Sequence, residues 1–275
     1  MTVTNAVETT MIWGTVSGAS MVGMVISLLL SVVLPIFLGI FIYKKTKAWV
    51  PAFFIGCGIF VGFAMILEQI CHAIVLTVTG SAIRDNIWLY AIYGGLAAAL
   101  FEECGRWIAM KFCLKKHLTR ENALMYGAGH GGIEAFLILG MSSMSNLLTA
   151  AMINGGLMEK TMTALEPAQQ EVTYHQLSVL WTTPAYQFYL APVERISAIA
   201  LQIALSILVY SAVKTGRKLQ LAAAFGLHFA VDFLTVVCAS TIPTWALELG
   251  LLLVVAVICV AVYKLVYVQM AEKKA

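Results

Sequence analysis

The chain has 275 residues, of which 61% are hydrophobic and 11% are charged. A mean hydropathy of +0.89 excludes a water-soluble domain with one buried core and indicates an integral membrane protein. The formal net charge of +3 is too small to predict nucleic-acid binding.

Seven apolar runs are long enough to cross about 30 Å of hydrocarbon at about 1.5 Å per residue. Because lipid offers the backbone no hydrogen-bond partners, these runs predict helices. In chain order they cover residues 18–43, 50–79, 87–112, 122–151, 186–213, 219–240 and 245–268. The sequence therefore predicts an all-α integral membrane protein, a bundle of about seven transmembrane helices that forms a single polytopic domain over residues 1–275.

The basic residues outside the runs predict the orientation of the bundle. Lysines and arginines cluster after the first, third, fifth and seventh runs, whereas the loops on the other side hold only Arg84 and Lys160. The positive-inside rule then predicts an external N-terminus and an internal C-terminus. The long connection at residues 152–185 is external in this arrangement, and its segment EVTYHQLSVLWTT is compatible with an interfacial helix or an irregular loop.

Ionisable residues inside the apolar runs are costly, by about 2.5–3.5 kcal/mol each, so each requires a partner or a function. They form two groups. The first group, on the third, fourth and sixth runs, consists of Glu102, Glu103, Arg106, His130, Glu134, His228 and Asp232. The second group, on the second and fifth runs, consists of Glu68, His72, Glu194 and Arg195.

Residues of the first group lie at a common depth. Counted by helical rise from the basic residues at the cytoplasmic ends, Glu103, His130 and His228 lie about 12–15 Å into the membrane. Residues four apart share a helix face, which pairs His130 with Glu134 and His228 with Asp232. We therefore expect these side chains to meet in one layer of the bundle.

Counted in the same way by helical rise, the second group lies nearer to the outer half of the membrane. We expect it to form a separate layer with a structural role. Glu194 and Arg195 are consecutive and point about 100° apart on a helix, so we expect them to pair with Glu68 or other neighbours rather than with each other. A lone buried histidine such as His72 is more often a hydrogen-bond partner than a catalyst.

The paired glutamates favour proton chemistry. Glu102 reaches Arg106 one turn along the helix, and Glu103 reaches it at i+3. An arginine beside two carboxylates can hold one of them ionised while the other takes up and returns a proton. A buried ion pair without catalytic function is the alternative. The glycine-rich segment GAGHGGIEA predicts that a neighbouring helix or a substrate strand approaches His130 closely.

Three motifs resemble those of the glutamic-type intramembrane proteases, namely the type II CAAX prenyl endopeptidases, the bacterial CAAX-protease and bacteriocin-processing family, and the PrsW family. The paired-glutamate, aromatic-xxx-His and His-xxx-Asn/Asp motifs appear as FEECGRW (101–107), Tyr126 to His130, and His228 to Asp232. The chain looks most similar to the YhfC-type intramembrane proteases. Only two residues separate the second glutamate from the arginine, where the CAAX enzymes have three, and a tyrosine replaces the usual phenylalanine. Which glutamate faces a cavity is therefore left open.

The resemblance implies metal-free hydrolysis of membrane-associated peptide or protein substrates, with no cofactor, in a bacterial plasma membrane. It implies that Glu102, or otherwise Glu103, is the general base and that His130 orients the water or shares its proton. It also implies that His228 and Asp232 stabilise the oxyanion, or that Asp232 orients His228. Supporting roles fall to Arg106, Tyr126 and Glu134.

Three other functions remain open at this point. His130, His228 and a glutamate could supply three zinc ligands with water in the fourth position, although the sequence has no HExxH motif. Intramembrane carboxylates and histidines also form ion pathways, but the absence of an internal repeat disfavours a transporter. A noncatalytic membrane chaperone or receptor with a polar pocket is the third alternative.

Overall fold

The computed structural model describes residues 11–272, and among these residues helices dominate and no strand occurs. In chain order the helices are α1 (Gly18–Thr46), α2 (Pro51–Thr79), α3 (Ile87–Cys113), α4 (Arg120–Asn154), α5 (Leu157–Met162), α6 (Pro167–Thr182), α7 (Ala185–Thr215), α8 (Lys218–Ala239) and α9 (Thr244–Tyr267). All of these except α5 and α6 are long and apolar enough to cross a membrane, which makes seven spans among the described residues. The predicted all-α membrane bundle is confirmed, and its orientation stays a prediction.

Local sequence signals set several helix ends. The side chain of Asn86 accepts hydrogen bonds from backbone N–H groups in the first turn of α3. Thr119 caps α4 in the same way by accepting the N–H of Asn122 at 3.2 Å. Gly216 ends α7 with a positive φ of 72°, a backbone conformation that glycine adopts without steric cost.

Helix α2 carries a buried stripe with an unusual period. Ala52, Gly56, Phe60, Ala64 and Glu68 are buried at every fourth position. An ordinary α-helix rotates such a stripe by about 40° at each step, because it has about 3.6 residues per turn. The segment Val61–Glu68 is π-helical, and its wider turns offset that rotation. The stripe consequently ends with the Glu68 carboxylate inside the protein.

Helix α7 is the centre of the bundle. Of its most apolar stretch, 72% lies inside the protein, against 33% or less for every other span. It packs against α1, α4, α8 and α9. A polar residue on this helix is therefore surrounded by other helices rather than by lipid.

Glycines on α4 allow the close approach that the sequence predicts. A Cβ on Gly129 would lie 1.9 Å from the Phe53 carbonyl oxygen of α2, and one on Gly127 would lie 2.7 Å from Cα of Ile203 on α7. Neither helix leaves room for a side chain at these positions. Close packing on both faces of α4 fixes His130 between α2 and α7, where it is fully buried.

The long connection between α4 and α7 is helical. It contains α5 and α6, and α6 covers most of the segment EVTYHQLSVLWTT, so the helical alternative is confirmed there. The rings of Trp13, Tyr174 and Trp181 pack together with centroids 5.6–5.7 Å apart. This aromatic cluster joins α6 to the segment that precedes α1, and its external location stays a prediction.

Candidate active site

Glu102 on α3 and His130 on α4 form the first contact of the site. Nε2 of His130 lies 2.9 Å from Oε2 of Glu102, and the other ring nitrogen, Nδ1, lies 3.4 Å from the Tyr126 hydroxyl. The second carboxylate oxygen of Glu102, Oε1, has no hydrogen-bond partner among the described residues, yet it is not fully buried. Because Glu102 lines a cavity, Oε1 is the oxygen left to accept a hydrogen bond from water.

Glu103 faces away from that cavity. Its Oε1 contacts both the Arg106 guanidinium and Nδ1 of His228, the latter at 2.8 Å. Glu103 and Arg106 are almost completely buried. Adjacent helix positions point about 100° apart, so only one of the two glutamates can face the cavity. Glu103 instead anchors the α8 histidine to α3.

His228 and Asp232 lie one turn apart on α8. Because Nδ1 of His228 is engaged by Glu103, its Nε2 points to the opposite side of the ring. There Nε2 lies 3.5 Å from Oδ2 of Asp232 and 3.9 Å from Oε2 of Glu102. The predicted meeting of the third, fourth and sixth spans therefore occurs around Glu102.

Gln202 on α7 is a member of the site that the sequence interpretation missed. Its Oε1 accepts a hydrogen bond from Arg106. Its Nε2 donates to Oε2 of Glu102 at 2.9 Å and to Oε2 of Glu134 at 2.8 Å. An uncharged glutamine in an apolar helix belongs to none of the motifs above, and only its polarity within a membrane span signals it.

A cavity of about 360 Å³ opens beside these residues. Its wall is formed by α3, α4, α7, α8 and α9. The acidic and basic residues in the wall are Glu102, Glu134, Glu194, Arg195, His228 and Asp232. Much of the remaining wall is apolar, with Val231 and Val236 from α8 and Leu251 and Val255 from α9. Charged and apolar surfaces thus share one space inside the bundle.

The expectation of a separate outer layer is wrong for Glu194 and Arg195. Arg195 contacts Oε1 of Glu134 at 3.2 Å and also pairs with Glu194, the neighbour it was expected to avoid. Glu134 lies one helical turn beyond His130, so the long arginine side chain bridges the difference in depth. Counting helical rise gives the depth of each Cα along the membrane normal, but it does not include the length of the side chain.

Glu68 and His72 form a local pair on α2. Nε2 of His72 lies 3.2 Å from Oε1 of Glu68, and Nδ1 lies 2.7 Å from the Tyr93 hydroxyl. Neither residue of the pair lines the cavity. Both ring nitrogens of His72 are engaged by α2 and α3, so its contacts join these two helices. A structural role for this pair stays a prediction.

Three side chains of the site could hold a metal ion by their donor types. Ligand atoms of Glu102, His130 and Glu134 lie within 4.8 Å of one another, and oxygen and imidazole ligands suit zinc. However, the Gln202 amide nitrogen bridges the two carboxylates and donates N–H groups to both. A metal-binding imidazole also has to present a lone pair to the ion, whereas Nε2 of His130 is hydrogen-bonded to Oε2 of Glu102 at 2.9 Å, so this arrangement does not fit a bound metal.

Comparison with known proteins identifies the family. The model of the YhfC intramembrane metalloprotease family matches residues 30–259. The Bacillus subtilis (strain 168) protein named "Uncharacterized membrane protein YhfC" is 41% identical over 222 residues, which are 78% of this chain and 83% of that protein. No solved structure matches the chain. The chain therefore belongs to the YhfC intramembrane metalloprotease family, a family of intramembrane proteases.

Proposed function

We propose that this multi-pass membrane protein is an endopeptidase that hydrolyses membrane-associated substrates with a glutamate-activated water and without a metal. The observation that carries the proposal is the convergence of Glu102, His130 and His228, with one oxygen of Glu102 left for a water in the cavity. The plasma membrane of a bacterium is the compartment we propose.

Glu102 is the general base in this proposal. Its Oε2 is held by His130 and Gln202, so the carboxylate cannot rotate away from the cavity. Its Oε1 takes a proton from water, and the resulting hydroxide attacks the scissile carbonyl carbon. Glu102 then returns the proton to the leaving nitrogen as the C–N bond breaks, which yields a carboxylic acid and an amine. One carboxylate thus serves as base and then as acid.

His228 stabilises the oxyanion that forms on the carbonyl oxygen. Glu103 accepts from Nδ1–H, so Nε2 is the only ring nitrogen that faces the reacting atoms. When Nε2 is protonated, its N–H donates to the developing negative charge. Asp232, at 3.5 Å from Nε2, stabilises this imidazolium. His130 fixes Glu102, and Tyr126 supports His130 through Nδ1.

The cavity suits a membrane-associated peptide. Its volume of about 360 Å³ lies within the usual range for ligand pockets of about 300–1,000 Å³. The apolar wall from α8 and α9 can accept apolar side chains of a substrate, while the polar wall from α3, α4 and α7 contacts its backbone. A substrate segment that leaves the lipid can therefore present its carbonyl group to Glu102.

Cleavage of a membrane-embedded reporter in nanodiscs tests this assignment. Glu102→Gln and His228→Ala should each lose cleavage by about 10²-fold or more while the protein stays monodisperse. Glu68→Gln is the matched control, because this buried glutamate lies outside the cavity and should keep most of its turnover. Retained cleavage in both site variants would refute the assignment.

The family description names a metal, so the metal-free part needs its own test. Cleavage by the wild-type protein should persist after exhaustive treatment with EDTA and 1,10-phenanthroline. Loss of cleavage that returns with zinc but not with magnesium would favour a metal held by Glu102, His130 and Glu134. A zinc ion there would activate the water by lowering its pKa.

A further inference from the structure

The two polar ends of the Gln202 side chain contact groups of opposite charge. The residue is 3% exposed and lies on the central helix α7. Its carbonyl end faces the Arg106 guanidinium, and its amide end faces the carboxylates of Glu102 and Glu134. Every polar atom of the side chain is therefore engaged inside the bundle.

Arg106 determines which way round the Gln202 amide lies. A guanidinium group can only donate hydrogen bonds, so the end that faces it has to be the carbonyl oxygen. Arg106 is itself fully buried and fixed by Glu103. Reversing the amide would turn N–H groups against a cation and a carbonyl oxygen against two carboxylates. The N–H groups are thus directed at Glu102 and Glu134.

This orientation conflicts with metal binding at the same carboxylates. Nε2 of Gln202 lies 2.9 Å and 2.8 Å from the Oε2 atoms of Glu102 and Glu134, the distances of ordinary N–H···O hydrogen bonds. A cation that binds between these two Oε2 atoms competes with both hydrogen bonds. Displacing the amide would also remove a hydrogen-bond acceptor from the buried Arg106 guanidinium.

We infer that Gln202, held by Arg106, is a positioning residue that keeps divalent metal ions out of the Glu102–His130–Glu134 cluster. The inference rests on the proposed metal-free function, but it is read out by metal content rather than by cleavage. Its physical basis is that a fixed N–H donor takes the place of the cation. Replacing that donor by a ligand should therefore turn the cluster into a metal site.

Two substitutions test the inference in the purified full-length protein. In Gln202→Glu, one oxygen of the introduced carboxylate can still accept from Arg106 while the other joins Glu102 and Glu134. Gln202→His introduces a neutral ligand instead, and serves if the added charge prevents folding. Each protein is incubated with Zn²⁺ or Co²⁺, desalted and examined by metal mass spectrometry and by the visible absorption of cobalt.

We expect the wild-type protein to retain well below one metal ion per chain and Gln202→Glu to retain about one, because ligand number decides metal affinity. Adding His130→Ala to Gln202→Glu should abolish the gain and locate the ion in this cluster. If both variants are folded and take up no metal, the inference is wrong, whereas the proposed peptidase function stands.

A second result would also overturn the inference. Wild-type protein that keeps stoichiometric zinc through desalting, and loses it in Glu134→Gln, would mean that Gln202 excludes nothing. That result would remove the metal-free part of the mechanism as well. The cleavage assay of Glu102→Gln would still decide separately whether the chain is a peptidase.

Discussion

Glu103→Gln and Glu102→Gln together test the structural role proposed for Glu103 against the catalytic role proposed for Glu102. The substitution keeps the shape of the side chain and removes its charge, which leaves the buried Arg106 guanidinium without its anionic partner. Removing one partner of a buried ion pair costs about 3–5 kcal/mol. Glu102→Gln should lower the free energy of unfolding by less, because Glu102 contacts histidine and glutamine side chains rather than an arginine. Glu102→Gln should instead reduce the turnover rate by about 10²–10⁴-fold, the usual contribution of a general base.

The two variants are compared by thermal unfolding in detergent and by cleavage of the same reporter. Glu103→Gln should lower the melting temperature by roughly 10 °C, given about 2–4 °C per kcal/mol for a chain of this size. It should also reduce cleavage, because His228 loses the anion that orients it. If Glu102→Gln is the strongly destabilised variant while Glu103→Gln melts like wild type, the assigned roles are reversed.

Two further predictions use matched pairs of glycines. Gly129→Ala places a Cβ 1.9 Å from the Phe53 carbonyl oxygen and should destabilise the protein by about 1–3 kcal/mol or more. Gly58→Ala is the control, because its Cβ meets nothing within 4 Å, and it should leave the melting temperature nearly unchanged in thermal unfolding. Gly94→Phe fills the cavity at a position with free space around a Cβ, and should reduce cleavage by roughly tenfold or more without lowering the melting temperature. Gly226→Phe, on α8 outside the cavity wall, is its control, and equal cleavage by the two phenylalanine variants would contradict the proposed substrate cavity.

The fold was largely predictable because lipid imposes a simple rule. Runs of apolar residues of sufficient length have to be helices in a membrane, and each of the seven predicted runs overlaps one long helix. The π-helical segment of α2 was not predictable from the length of the apolar run. It accompanies a stripe of residues that are buried at every fourth position, and burial of such a stripe depends on packing against other helices. The helical state of residues 167–182 also depended on contacts outside α6, such as the packing of Tyr174 and Trp181 on Trp13.

The site was predictable only where spacing and charge both left a signal. Helical rise places Glu103, His130 and His228 at one depth, because depth depends on distance along each helix, and in the structure His228 contacts Glu103 while His130 contacts the adjacent Glu102. The lateral arrangement of helices is not contained in that count. The count therefore places Arg195 in another layer, and it does not include Gln202, which carries no charge although it lies between two carboxylates.

The buried Arg106 and the partly buried Arg195 divide the carboxylates of the site into two classes. Arg106 pairs with Glu103, and Arg195 pairs with Glu134 and Glu194. Among the described residues no arginine or lysine contacts Glu102 or Asp232, and both of these line the cavity, at 3.9 Å and 3.5 Å from His228 Nε2. An arginine partner fixes the position of a carboxylate by charge-assisted hydrogen bonds, and Glu103 is held in this way outside the cavity. Glu102 lines the cavity and keeps Oε1 open to water, which is why the chemistry is expected at Glu102 rather than at Glu103.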